Sequence, residues 1–149
     1  MANNFLQFSL LVPLRSPAEA SWVTSTLTSL VKLLDGTEGA RAGRGLSALG
    51  RRYSSEGWDC LDFEWSIKSN ELWLYAEESG SPEQVAAVLE AYLAKFNPTG
   101  VITFSWAFTC SKLRPNEFGG GAAVITAGGT TFLDAQTWAK ELAEKHAGA

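Results

Sequence analysis

The sequence predicts an α+β domain of ferredoxin-like (split βαβ) type: an antiparallel sheet with two helices on one face, then a short C-terminal strand segment and a third helix. Three observations carry this expectation. Four stretches alternate apolar and polar residues with period two. Two stretches place apolar residues at helical spacing, each behind the same Ser-Pro start signal. These stretches occur in the order β-α-β-β-α-β.

Leu6, Phe8, Leu10 and Val12 alternate with Gln7, Ser9 and Leu11, the pattern of a strand with one buried face, and Pro13 stops it. Ser16-Pro17-Ala18-Glu19 supplies an N-cap, a proline at the first helical position and a capping-box glutamate. Val23, Leu27, Leu30, Val31 and Leu34 follow at helical spacing beside Trp22, so this helix runs to about Asp35 and ends at Gly36.

From Gly36 to Gly57 the composition changes: six glycines and four of the six arginines fall within twenty-two residues. The segment reads as a long, mobile loop with room for one helical turn around 46–52. Leu61, Phe63, Trp65 and Ile67 then alternate with Asp62, Glu64 and Ser66, and after Ser69-Asn70 the pattern resumes as Leu72, Leu74 and Ala76 against Trp73 and Tyr75, giving a hairpin. Ser81-Pro82-Glu83 opens a second helix whose stripe is Val85, Val88, Leu89, Tyr92, Leu93 and Phe96. In the next strand Ile102, Phe104, Trp106 and Phe108 alternate with Thr103, Ser105, Ala107 and Thr109. A polar, glycine-rich turn over 111–121 leads to a short apolar run over 122–127, interrupted by Gly128-Gly129. Asp134 caps a last helix with Ala135, Trp138, Ala139 and Leu142 on one side and Lys140, Glu141, Glu144 and Lys145 on the other. No domain boundary or short-period repeat breaks residues 1–149.

Composition narrows the function classes. With 46% hydrophobic and 19% charged residues the chain is a globule, and a net charge of −4 disfavours nucleic acid, whose binders carry a basic excess. The apolar stretch from Phe5 to Leu14 has Gln7 and Ser9 in it, no basic region before it and Pro13 near its end, so it reads as neither signal peptide nor membrane span. Cys60 and Cys110 stand fifty residues apart, outside any CxxC spacing, which points to free thiols in a reducing, cytoplasmic compartment and to no zinc site. His146 is the single histidine and stands in the C-terminal tail, leaving a Ser-His-Asp or Cys-His arrangement without a base. No cofactor motif occurs.

Three places remain as candidate sites. In the predicted fold Trp73 and Tyr75 lie on the face opposite the helices, where aromatic residues stack on ligands or dock partners, or are covered by the third helix or a second subunit. Gln7, Ser9, Asp62, Glu64, Ser66, Thr103 and Ser105 share that face. Gln7 and Ser9 on the adjacent strand offer no second stacking residue, and Asp62 and Glu64 would repel phosphates. The Arg-Gly loop, with Arg41, Arg44, Arg51 and Arg52, has the chemistry to wrap an anion, although it lacks the Gly-Lys-Ser/Thr of a Walker sequence. Lys112, Arg114 and Glu117 stand beside Gly119, Gly120 and Gly121 and read either as a hairpin turn or as a small anion site with one carboxylate to accept a proton. Asp62 and Glu64 are the other carboxylates able to serve as a general base, with a solvated strand face as the plain reading.

The segment Thr109-Cys-Ser-Lys-Leu-Arg-Pro-Asn-Glu-Phe-Gly-Gly-Gly-Ala122, followed by a short strand and a Trp-containing helix, resembles the C-terminal part of small uncharacterised phage- and plasmid-encoded proteins. The resemblance covers the last third of the chain and implies a mobile-element origin, with binding and inhibition of host machinery, as an anti-defence protein does, as the matching activity. It carries no catalytic residue. The expectation is a non-enzymatic module that binds another protein or itself as a homodimer. The alternatives are a small-molecule or nucleotide-phosphate binder using the Arg-Gly and Lys112–Gly121 loops, and an enzyme with a carboxylate base.

Overall fold

Two serine–proline pairs fix where the long helices begin. The Ser16 and Ser81 hydroxyls accept from the amides three residues on, Glu19 N at 3.3 Å and Gln84 N at 3.2 Å, while Pro17 and Pro82 fill helical positions that need no N–H. The computed structural model describes residues 2–36 and 48–148. Within them the chain forms β1 (Asn4–Pro13), α1 (Pro17–Leu34), α2 (Ala48–Ser55), β2 (Glu64–Lys68), β3 (Glu71–Ala76), α3 (Pro82–Phe96), β4 (Ile102–Cys110), β5 (Gly119–Thr126), β6 (Gly129–Asp134) and α4 (Ala135–Ala147). The strands make one six-stranded sheet in the order β2-β3-β1-β4-β5-β6, with every neighbouring pair antiparallel.

This is an α+β architecture in which β1 pairs with β3 on one side and β4 on the other. β1 to β2 passes through α1 and skips over β3; β3 to β4 passes through α3 and skips over β1. Because alternate residues of a strand face opposite sides, this leaves one face of the sheet for the helices. Phe8 and Val12 of β1, Leu72, Leu74 and Ala76 of β3, Phe104 of β4, and Ala123 and Ile125 of β5 are buried in one cluster with Val23, Leu27 and Leu30 of α1 and Val85, Val88, Leu89 and Leu93 of α3. Phe8 meets Phe104 edge-on at 5.6 Å.

The second half of the segment expected as a loop over 36–57 is helical where the sequence allows one turn around 46–52, and the helix is longer than that turn. Residues 48–55 form α2, and Leu49 and Tyr53, four apart, point into the core. Tyr53 is fully buried; its hydroxyl donates to the Gln84 carbonyl at 2.8 Å, and Trp58 packs edge-on against its ring. That buried hydrogen bond, made across 31 residues of sequence, holds the helix in place. The first half of the expected loop, with Arg41 and Arg44, lies outside the described residues.

Three further expectations shift. The second strand begins at Glu64 and not at Leu61, because Cys60 and Asp62 on either side of Leu61 are held from outside the sheet: the buried Gln84 side chain accepts from Asp62 N at 2.8 Å and donates to the Cys60 carbonyl at 3.0 Å. The glycine-rich turn expected over 111–121 ends earlier, since Gly119, Gly120 and Gly121 are paired residues of β5. The expected single C-terminal strand segment is two strands, β5 and β6, joined at a tight turn in which Thr126 faces Gly129. The Ser69-Asn70 turn stands as expected, both residues in the left-handed region that suits a two-residue hairpin.

Glu19 is a buried carboxylate on α1. It accepts a short hydrogen bond from the Tyr92 hydroxyl of α3, with Arg15 Nε 3.9 Å from its other oxygen. The two long helices are therefore tied by a polar link inside an apolar interface, and burial together with the bond to Glu19 pushes the Tyr92 hydroxyl from an ordinary 10 up to about 12.

Two outcomes are expected. Truncating Leu89 or Phe104 to alanine removes a buried side chain and leaves a cavity, so chemical denaturation should show a loss of about 2–5 kcal/mol for either variant; an unchanged midpoint would contradict the assignment of faces. Alkaline stability should also reflect Tyr92. A raised folded-state value means the folded chain holds the proton more tightly, so its contribution is complete below pH 10 and disappears as pH climbs to about 12. Tyr92→Phe should flatten that decline in stability, measured by denaturant titration at stepped pH.

Candidate functional site

The face of the sheet away from α1 and α3 carries no helix among the described residues. Its side chains follow from register. Ser9 of β1 stands opposite Tyr75 and Leu11 opposite Trp73; on the other side Gln7 stands opposite Ala107 of β4, and Ser105 opposite Ala122 of β5. Trp73 and Tyr75, two apart on β3, stack with ring centres 3.8 Å apart and planes at 20°. The Trp73 indole N–H donates to Ser9 Oγ at 2.8 Å. One hydrogen bond and one stack thus hold a large flat aromatic surface in place on open β-sheet, at little further entropy cost on binding.

Trp73 is 39% exposed and Leu11 beside it 58%. Between them and the β2–β3 hairpin is a groove of about 630 Å3, lined by Ser9, Leu11, Ser66, Lys68, Ser69, Glu71 and Trp73. Its charges are confined to the rim, where Lys68 and Glu71 are paired residues of the hairpin. Across β1, β4, β5 and β6 the same face carries only uncharged residues, with Val124 and Leu133 exposed at its far side. A phosphate backbone requires cations, and Lys68 at the margin is the one cation among the described residues of this face. Glu64, opposite Tyr75 on the edge strand, adds an exposed carboxylate on the β2 side, so the surface suits a partner that is apolar and neutral polar across β1, β4 and β5 and has a donor to meet Glu64.

The expected cover of Trp73 and Tyr75 by the last helix does not occur within the chain. α4 leaves the sheet from β6, three strands beyond β3's neighbour β1. No linker separates the two elements, since Asp134 is both the last residue of β6 and the N-cap of α4, its carboxylate accepting from Gln136 N and from the Thr137 hydroxyl. Gln136 also donates to the Phe118 carbonyl. A helix pinned in this way at its first turn has no slack with which to fold back across four strands.

The remaining predicted site residues fall in two other places. Arg51 and Arg52 are on α2, on the helix side of the sheet, and the Arg52 guanidinium is bound to Glu90 of α3 at 2.8 Å, with Thr130 donating to the other Glu90 oxygen at 2.6 Å. Arg52 is thereby a tie between α2, α3 and β6, a role legible only once Glu90, 38 residues away, is brought beside it. Lys112, Arg114 and Glu117 stand in the β4–β5 connection, the two cations exposed, tied to the N-terminal end of β1 by Ser111 N donating to the Asn3 carbonyl at 2.8 Å. Trp73 pairs seven residues further along β1 than Asn4 does, roughly 23 Å at 3.3 Å per residue, so these groups do not meet the aromatic pair. Gly120 and Gly121 are explained by close packing: a Cβ on Gly120 would come within 2.5 Å of the Trp106 carbonyl oxygen, and one on Gly121 would strike the Trp106 ring and the Leu133 carbonyl.

Of the candidate bases, Asp62 is held by its neighbours, its Oδ1 accepting from the Ser79 hydroxyl at 3.2 Å and its carbonyl from Ser81 N at 2.7 Å. Glu64 is an exposed residue of the edge strand. Cys60 is an exposed free thiol, raised above its ordinary value by desolvation and by Asp59 and Asp62; Cys110 is buried and free. Among the described residues no group of three His, Cys, Asp or Glu is placed to hold a metal, and no helix is long and apolar enough to cross a membrane.

Comparison with protein-family models, with curated proteins and with solved structures found no match to the chain. The site therefore rests on its own geometry. Gly121→Ala should lower stability by about 2 kcal/mol or more in thermal or chemical unfolding, because its methyl group meets Trp106 and backbone rather than open space. A variant as stable as the parent would return the glycine run to a ligand-binding role.

Proposed function

We propose that this chain is a non-enzymatic protein-binding module that receives a partner protein on its open sheet face, with Trp73 and Tyr75 at the centre of contact. The observation that carries the reading is the pre-positioned Trp73–Tyr75 stack, fixed by Ser9, bordered by a groove, and facing uncharged residues on the β1 side with Glu64 opposite Tyr75 on the β2 side. Aromatic anchors of this kind dominate the energetics of protein interfaces, and the absence of charge on the β1, β4 and β5 side of the stack lowers the desolvation cost of docking there, while Glu64 beside Tyr75 offers a carboxylate to a donor on the partner. The strand order β2-β3-β1-β4 with α1 and α3 as crossovers supports a ferredoxin-like core, to which β5, β6 and α4 are an addition. In keeping with the resemblance of the 109–122 segment to phage- and plasmid-encoded proteins, the partner belongs to host cytoplasmic machinery, which the module inhibits by occupying a surface.

Anion binding by the arginines and the Lys112–Gly121 segment has weaker support, because Arg52 is engaged by Glu90 and the glycines are strand residues packed on Trp106. The two readings separate in one pair of measurements. Affinity purification from a host cell should recover a partner with the parent chain and lose it with Trp73→Ala, the purified complex weakening by about 2 kcal/mol or more in calorimetry. Titration of the parent with nucleotides should give no heat of binding. Micromolar nucleotide affinity, or a partner retained at full affinity by Trp73→Ala, would overturn the proposal.

A further inference from the structure

The Trp73–Tyr75 stack separates two recesses of different character. Trp73 and Leu11 line the groove of about 630 Å3 already described. Tyr75 lines a second recess of about 440 Å3, whose walls carry Asp62, Glu64, Glu77 and Glu78 and neither lysine nor arginine. Register explains the crowding of carboxylates around this ring. Glu64 is the β2 residue opposite Tyr75, Glu77 follows Tyr75 by two residues just past the end of β3, and Ser79 donates to Asp62. Glu64, Glu77 and Glu78 are exposed, and among the described residues no salt bridge engages any of the four carboxylates.

An aromatic stack with carboxylates at one end and an apolar groove at the other selects the chemistry of what docks on it. Among the described residues no three carboxylates are placed to hold a metal ion, so a small point charge would meet them singly. A guanidinium is a planar cation with five donors. It forks onto carboxylates, lies on an aromatic ring and sheds water more readily than an ammonium. The Tyr75 recess offers it both a ring and carboxylates. Trp73 and Tyr75 are two residues apart on one strand, about 7 Å, so a single segment reaches the recess with one side chain and the Leu11 groove with another. A net charge of −4 repels further copies of the chain and favours a partner that brings positive charge. We propose that the open face recognises a segment of a partner protein that presents an arginine beside an apolar side chain, the guanidinium on Tyr75 between Glu64 and Glu77 and the apolar group against Trp73 and Leu11. This rests on the docking role proposed above and adds to it the chemistry of the docked segment.

The probe is a random dodecapeptide library displayed on phage and selected on the immobilised full chain, with enriched peptides synthesised and titrated by fluorescence anisotropy. Peptides that the parent binds and Trp73→Ala loses should carry arginine together with leucine or an aromatic residue more often than the unselected library does. Replacing that arginine by citrulline, which keeps its shape and removes its charge, should weaken binding about tenfold or more. Glu64→Gln with Glu77→Gln should do the same, and combining the two changes should cost no more than either alone, because each removes the same contact. Both glutamates are exposed, so the double variant should keep the parent's thermal midpoint. Peptides that Trp73→Ala loses but that lack arginine, or that are indifferent to citrulline or to the double variant, would overturn the inference and leave the docking face standing. A selection yielding no peptide sensitive to Trp73→Ala would overturn both. A dimer in sedimentation of the chain alone, dissolved by Glu64→Gln with Glu77→Gln, would seat a second copy in the recess and overturn the inference as well.

Discussion

Both helical crossovers lie on the same side of the sheet, and the rest of the molecule follows from that constraint. β1 and β3 each send the chain through a helix to a strand two places away, and such crossovers turn with one hand, so α1 and α3 cover the same face. Period-two alternation then sorts every strand residue into one of two environments. Phe8, Leu74 and Phe104 go under the helices; Ser9, Trp73, Tyr75 and Ser105 go to the bare side. The bare side is therefore a consequence of connectivity, and what distinguishes this chain is what it puts there: an aromatic stack held by a serine, with neutral residues across the strands beyond it.

The helix side is locked by polar groups that reach between elements. Gln84 holds the 60–62 segment by its side chain and Tyr53 by its carbonyl, Glu90 takes Arg52 and Thr130, and Glu19 takes Tyr92. All of these ties end on α3, so that helix fixes α1, α2, the 60–62 segment and the C-terminal hairpin. Leaving a buried donor or acceptor unpaired costs more than the bond contributes, so the ties specify position more than they add stability. The hairpin β5–β6 widens the sheet at the edge remote from Trp73, where Gly121 leaves space for the ring of its β4 partner Trp106 and Gly120 for the Trp106 carbonyl.

Elements whose signals are local were legible in the sequence. The Ser16 and Ser81 caps, the stripes of α1 and α3, the alternation of β1, β3 and β4 and the Ser69-Asn70 turn each need only neighbouring residues to be read. Elements decided by distant partners were not. α2 is hidden in a glycine- and arginine-rich segment, and Tyr53 becomes a core residue only because Gln84 offers it a carbonyl. Gly119 to Gly121 read as a turn because glycine weakens strands, while Trp106, paired with Gly121 on the neighbouring strand β4, leaves no room for a Cβ at 120 or 121. The last helix looked like a lid for Trp73; its periodicity says that it needs a cover but not where it points, and the absence of any linker after β6 decides that. The candidate site was half legible, with Trp73 and Tyr75 placed on the correct face and the arginine and Lys112 groups scattered elsewhere.

The most direct measurement is hydroxyl-radical oxidation of the free chain followed by peptide mass spectrometry, which reads side-chain exposure residue by residue. With an uncovered face, Trp73 and Leu11 should oxidise readily in the folded protein while Leu72 and Leu74, their neighbours in register and sequence, stay protected. Protection of Trp73 and Leu11 to the level of Leu74 in the free chain would contradict the open docking face on which the functional reading rests.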